Sequence, residues 1–177
     1  MDRSKPVDDP LFWKQRLDQA MLEKSIERSV YRCPKEEWDK INNYHLSIIK
    51  SIVSDSDKVL DAGCGYGRNC YWYNPTQYTG VDFSPDFIAE ANKRFPLYNF
   101  NVGNLSDLWY DDNSFDYAIC TSVMIMIVQN CGWFAWEKIQ NELLRVSKNG
   151  IICLEYGCGD TDTDYGTFYH IKKYNGI

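Results

Sequence analysis

Apolar residues follow two rhythms along this chain, and the change between them divides it near residue 57. Before that point the spacing is helical. Trp38, Ile41, His45, Ile48 and Ile52 recur at intervals of three and four, which places them on one face of a helix running from Pro34 to about Val53. Pro34 suits a first turn, and Glu36 and Glu37 complement the positive end of the helix dipole. An earlier, more polar helix spans Phe12 to about Ser29, with Leu17, Met21 and Ile26 as its apolar positions.

After residue 57 short apolar runs alternate with helical stretches. Strands are expected at Lys58–Asp61, Gln77–Asp82, Tyr98–Val102, Phe115–Thr121 and Ile151–Tyr156, the fourth run continuing apolar through Met124 and Ile127. Such unbroken apolarity fits strands buried on both faces. Helices are expected at Arg68–Tyr73, stopped before Pro75; at Pro85–Phe95, with Ser84 as cap; and at Trp133–Ser147, with Trp136, Ile139, Leu143 and Val146 on one face. Alternation of this kind builds an α/β fold around a mostly parallel sheet with right-handed crossovers. The expected organisation is a helical extension or lid over residues 1–56 and a core over 57–177, together one domain.

The most informative segment is the first strand and its exit, Val59-Leu60-Asp61-Ala62-Gly63-Cys64-Gly65-Tyr66-Gly67-Arg68. A glycine loop between a strand and a helix, at the carboxyl end of a parallel sheet, forms a nucleotide-type crevice. The next strand ends in Gly80-Val81-Asp82-Phe83-Ser84. An ionised carboxylate there is acceptor-only and suits a ribose diol. A dinucleotide-binding oxidoreductase spaces its glycines Gly-x-Gly-x-x-Gly, whereas here they stand at 63, 65 and 67 and Arg68 takes the third position of that pattern.

Together these segments resemble the class I S-adenosylmethionine-dependent methyltransferases, of the small-molecule type in methyltransferase families 11 and 25. The resemblance runs from about Asp57 to Tyr156 and includes Gly103-Asn104-Leu105, Asn113-Ser114-Phe115-Asp116 and Glu142 through Gly150. It implies a Rossmann-like, doubly wound sheet of strand order 3-2-1-4-5, S-adenosylmethionine as cofactor and S-adenosylhomocysteine as product. It also implies roles for particular residues. Gly63, Cys64, Gly65 and Gly67 line the methionine and ribose side, with Asp61 positioning the loop or meeting the cofactor's amino group. Asp82 takes the ribose hydroxyls and Phe83 lies against the adenine. Asn104 and Leu105 border the adenine, and Thr121 and Ser122 border the methionine end. Arg68, a cation at the start of an expected helix, opposes the dipole there, which suggests contact with a carboxylate of the cofactor or of the protein, with a plain solvated arginine as the equal alternative.

No catalytic residue is identified. Glu155, Tyr156, Tyr31 and His170 are candidate bases by position near the crevice mouth, none in a diagnostic motif. The Asn/Asp-Pro-Pro-aromatic signature of amino-methylating nucleic-acid and glutamine enzymes is absent after the fourth strand, where Thr121-Ser122-Val123-Met124 stands. Tyr31, Trp38 and Tyr44 are candidates for closing the site, against plain helix packing.

Composition narrows the partners. Net charge is −6 with 19 basic residues and no basic cluster, which argues against nucleic acid and leaves a small-molecule acceptor. No apolar run approaches the roughly 20 residues that span a bilayer, and the amino terminus lacks a signal-peptide core. Seven cysteines without Cys-x-x-Cys spacing suggest neither a disulfide frame nor zinc, so buried thiols in a reducing cytoplasm are expected. Asp160-x-Asp162-x-Asp164 fails the EF-hand pattern at Tyr165 and Ile171, and no metal is expected.

The family's sheet has seven strands, but only twenty-one residues follow Tyr156, room for one strand or short helix over Thr167 to Tyr174. An abbreviated sheet leaves an edge open to a homodimer or partner subunit. The alternative function is therefore a non-catalytic or degenerate cofactor-binding subunit that needs such a partner.

Overall fold

The computed structural model describes residues 9–29, 34–155 and, as backbone, 167–172. Asp9 opens α1 (Pro10–Leu22), its side chain accepting the Leu11 amide at 2.9 Å. The chain does not continue as one helix to Ser29. Lys24 takes φ +55°, which ends α1, and a 3-10 turn follows at Ile26–Ser29. α2 (Lys35–Ile52) buries Trp38, Ile41, His45 and Ile49. Ile48 and Ile52 are only half-buried, so the packed face is turned by one residue from the expected one at its end.

The core then alternates β1 (Val59–Ala62), β2 (Tyr78–Asp82), α3 (Pro85–Arg94), β3 (Asn99–Val102), β4 (Tyr117–Thr121), α4 (Met124–Cys131), α5 (Trp133–Val146), β5 (Gly150–Glu155) and β6 (Thr167–Lys172). Ser84 caps α3 as expected, accepting the Phe87 amide. One expected helix fails. No helix forms over Arg68–Tyr73; turns lead into a single 3-10 turn, Cys70–Trp72. Gly65 and Gly67, at φ +54° and +80°, occupy what would be the approach to that helix, and Pro75 prevents its extension. The fourth strand ends at Thr121 as expected but starts two residues later, at Tyr117. Ser122 then takes φ +60° and the apolar run beyond it forms α4, a helix not expected there, since a short apolar stretch is ambiguous in periodicity alone.

The sheet order is β3-β2-β1-β4-β5-β6. The first five strands are parallel, and β6 lies antiparallel on β5, with Glu155 opposite Thr167. This one added strand covers the edge of β5 and leaves β3 and β6 as the edges of the sheet.

Side chains alternate across the sheet. On one face Leu60, Ala62, Ala118, Cys120, Ile151 and Cys153 pack under Trp136, Ile139, Leu143 and Val146 of α5. On the other, Val59, Ile119, Ile152 and Leu154 meet Ile49 and Val53 at the end of α2. Tyr78 and Phe100 meet Ile88 and Ala91 of α3. Three layers result, and the carboxyl ends of β1, β2 and β4 converge at the glycine loop. Among the described residues no helix is long and apolar enough to cross a membrane.

Candidate functional site

β1 delivers Asp61, then the chain turns through the glycines. The backbone of Gly63 and Cys64 donates to the Val81 carbonyl at 2.8 and 3.1 Å, which moors the loop to β2. A Cβ on Gly67 would lie 2.6 Å from the Phe100 ring, so glycine is needed there for packing as well as for its positive φ. Gly65 differs. It has positive φ, yet nothing lies within 4 Å of where its Cβ would be. The open space at the middle glycine is where a ligand can approach the backbone.

Asp82 faces that space from the end of β2. Its Oδ2 accepts the Gly65 amide at 2.9 Å and its Oδ1 accepts the Ser84 amide at 2.9 Å. Burial raises its pKa to about 6, against the lowering by the amides of Ser84, Gly65 and Phe83. A carboxylate offers about four acceptor positions, so the three amides leave room for about one further donor. Asp61 points to the same side of the sheet but is sealed in, accepting the Tyr78 hydroxyl at 2.8 Å. Burial raises its pKa to about 6 as well, opposed by the Tyr78 hydrogen bond and the Arg68 charge. Its geometry is that of an acid anchoring the strand end.

Arg68 turns away from any helix of its own and lies under α2. Its guanidinium donates to Asn42 Oδ1 at 2.6 Å and sits 4.6 Å from the centre of the Trp38 ring. Burial lowers its pKa. No protein carboxylate pairs with it among the described residues, contrary to one half of the sequence expectation. The dipole conflict expected at this position does not arise, because no helix begins there. Beside it, His45 is buried with both ring nitrogens lacking partners, and burial together with the Arg68 charge lowers its pKa to about 3. It is a neutral imidazole.

Asn69 was not legible as a site residue. Its Nδ2 donates to Thr121 Oγ1 at 3.2 Å, while its Oδ1 is buried with no partner. A polar atom sealed without a hydrogen bond is costly, on the order of 1–3 kcal/mol. The only sequence signal was its place two residues after the third glycine.

The remaining candidates are scattered. Phe83 is half-buried beside Asp82. Cys64 is buried, and burial pushes its thiol pKa well up, so it is inert. Asn104 is exposed, and its Oδ1 already accepts the amide and hydroxyl of Ser106, both at 2.9 Å. Leu105 belongs to the core beneath α5. Glu155, a candidate base, is buried and turned onto α4: its oxygens accept the amides of Met124 at 3.0 Å and Ile125 at 3.3 Å. Burial raises its pKa to about 7 despite these bonds. It fixes the start of α4 instead of facing the crevice. Trp38 is buried under Arg68 and packs as core, unlike a lid. Tyr31, Tyr156 and the Asp160–Asp164 run lie outside the described residues, as does the side chain of His170. No cluster of metal-ligating side chains occurs among the described residues.

A sheet in the order 3-2-1-4-5, with a glycine loop after the first strand and an acid ending the second, is that of the class I S-adenosylmethionine-dependent methyltransferases. Residues 59–150 match the family described as a methyltransferase domain, and the chain belongs to it. Among curated relatives, the phthiotriol/phenolphthiotriol dimycocerosates methyltransferase of Mycobacterium tuberculosis is 29% identical over 96 residues, covering 49% of this chain and 36% of that protein. The 24-methylenesterol C-methyltransferase 3 of Arabidopsis thaliana is 30% identical over 113 residues, covering 59% and 30% respectively. The chain thus spans about a third of the length of these relatives. In solved structures, an S-adenosylmethionine-dependent methyltransferase from Methanosarcina mazei aligns with TM-score 0.54 at 27% identity, over 62% of this chain and 57% of that one. A Pyrococcus horikoshii protein aligns with TM-score 0.58 at 24% identity, over 70% and 59%, and shares the fold.

Proposed function

We propose that this chain binds S-adenosylmethionine in the crevice at the carboxyl ends of β1, β2 and β4, and passes its methyl group to a small-molecule acceptor. The observation that carries this reading is the pairing of open space at Gly65 with the spare acceptor capacity of Asp82. A ribose hydroxyl can donate to it while the backbone at Gly65 comes close to the ligand. The unpartnered Asn69 Oδ1 and the guanidinium of Arg68, which pairs with no carboxylate among the described residues, supply a polar end for an amino acid group, the amide oxygen for its ammonium and the cation for its carboxylate. Phe83 offers an apolar flank for the base. Asn42 and Trp38 of α2 contribute the wall behind Arg68, which supports reading this helix as part of the site's housing.

The cofactor, when bound, supplies an electrophilic methyl on a sulfonium. The protein's part is alignment of an in-line displacement and exclusion of water, which accounts for most of what such an enzyme must do. Both oxygens of Glu155 are turned onto α4, which places it away from an acceptor in the crevice.

Calorimetric titration with S-adenosylhomocysteine tests the reading. Micromolar binding that Asp82→Ala abolishes supports it. A second reading, a cofactor-binding subunit activated by a partner, would show the same binding with no turnover by the chain alone.

A further inference from the structure

α4 begins without a cap of its own. Its N-cap position is Val123, which has no polar side chain to offer the amides of the first turn. The acceptors come instead from the end of β5. Glu155, the last residue of that strand, accepts the Met124 amide at 3.0 Å and the Ile125 amide at 3.3 Å. The carbonyl of its neighbour Leu154 accepts the Ser122 amide at 2.8 Å. Two successive residues of β5 thus hold the turn that leads from β4 into α4, with Ser122 at φ +60° between them.

This is a costly way to start a helix. A serine, threonine or aspartate at the N-cap would satisfy the same amides locally. Glu155 is 3% exposed, and burial opposes its ionisation, raising its pKa to about 7. What the remote cap leaves free is position 123. Val123 closes on the glycine loop, where a Cβ on Gly63 would lie 2.5 Å from Val123 Cγ2. Gly63 and Cys64 are the two residues whose amides moor that loop to the Val81 carbonyl. At the start of the turn, Thr121 Oγ1 accepts from Asn69 Nδ2 at 3.2 Å. The turn therefore meets the segment after β1 at two places, Val123 on Gly63 and Thr121 on Asn69. Asn69 belongs to the polar end of the crevice.

We infer that Glu155 is a positioning residue for the cofactor site: it reaches no ligand itself, but it sets the 121–124 turn, whose Val123 and Thr121 fix the loop and Asn69 where the cofactor's amino acid end lies. The word cofactor rests on the methyl-transfer reading. The linkage from Glu155 to the glycine loop does not.

The test uses the full chain, with S-adenosylhomocysteine affinity measured by calorimetry and amide hydrogen exchange followed by NMR without ligand. Glu155→Gln keeps one acceptor oxygen and sets an amino group against an amide donor. It should speed exchange at Gly63 and Cys64 as well as at Met124 and Ile125, and weaken S-adenosylhomocysteine at least about fivefold. Val123→Ala, with Glu155 intact, should speed exchange at Gly63 and Cys64 and weaken the ligand at least about threefold. The double variant should bind no more than about twofold more weakly than Glu155→Gln, because both changes act through one contact. Glu142→Gln is the control for an acid with a purely structural task, since Glu142 holds the Leu108 amide and Arg145. It should lower the unfolding temperature and keep S-adenosylhomocysteine affinity within about twofold. Unchanged exchange at Gly63 and Cys64 in Glu155→Gln overturns the inference, as do fully additive losses of affinity in the double variant. Should Glu155→Gln not fold, Val123→Ala decides by the same readout, and unchanged exchange at Gly63 and Cys64 overturns it. A wild type that binds no S-adenosylhomocysteine removes the methyl-transfer reading, while the exchange rates still decide the linkage.

Discussion

Asp82 and Gly65 face each other across the candidate crevice, joined by a hydrogen bond of 2.9 Å from the glycine amide to the carboxylate. The bond fixes the loop at its one open point and leaves the carboxylate with acceptor capacity to spare. Loop shape and ligand recognition therefore depend on the same side chain, and substitutions at the neighbouring glycines separate the two.

Gly67→Ala places a methyl group 2.6 Å from the Phe100 ring in a left-handed backbone, so it should destabilise the fold by several kcal/mol through overpacking and strain. Gly65→Ala meets no neighbour and carries only the conformational cost, on the order of 1 kcal/mol. Thermal unfolding should show a large loss for the first and a small one for the second. Calorimetry should nonetheless show Gly65→Ala losing most of its S-adenosylhomocysteine affinity, because the methyl occupies the ligand's approach. Equal affinity in Gly65→Ala and wild type would mean the open space is not used.

Arg68 is a half-buried cation whose direct partners are an amide oxygen and an indole face. Burying an ion carries a desolvation cost that an apolar residue of similar volume avoids, and Asp61 offsets it only at a distance, with no ion pair formed. Arg68→Met should accordingly unfold at an equal or higher temperature than wild type and bind S-adenosylhomocysteine at least tenfold more weakly. A variant that loses stability but keeps affinity would assign Arg68 to packing alone.

Much of this architecture was legible in the sequence, and the misses share a cause. The strands from Val59, Tyr78, Asn99 and Gly150 were found within a residue or so, because each is an apolar run bounded by polar or glycine punctuation. The strand ending at Thr121 was found but α4 after it was not, because nothing in the periodicity of the run to Ile127 marks Ser122, whose positive φ turns strand into helix. What turns it is Glu155, thirty-one residues away from Met124, a contact that no local pattern encodes. Likewise Asp82 was readable as a strand-ending acid. The orphaned Asn69 oxygen and the Arg68–Asn42 contact depend on how α2 lies over the loop.

Buried carboxylates set the pH dependence of stability. Asp61 and Asp82 are raised to about 6 and Glu155 to about 7, each by burial. The folded state thus holds these protons more tightly than the unfolded state, so their contribution is fully present below about 4 and is lost as pH rises towards 7. Glu142 acts in the opposite sense, its pKa lowered by the hydrogen bond from Arg145, but over a window below its ordinary value. The unfolding temperature should therefore fall between pH 5 and pH 7.5. Glu155→Gln should flatten that fall, removing a difference on the order of 2–3 kcal/mol. A slope unchanged in Glu155→Gln would show that its titration is not coupled to folding.

The central claim is that Asp82 and the glycine loop form a cofactor site, and titration of the chain with S-adenosylhomocysteine beside Asp82→Ala, with NAD as a control, addresses it most directly. The expected result is micromolar binding to the wild type, none to Asp82→Ala, and no response to NAD. Binding that survives Asp82→Ala unchanged, or a wild-type chain that binds NAD and not S-adenosylhomocysteine, would contradict the claim.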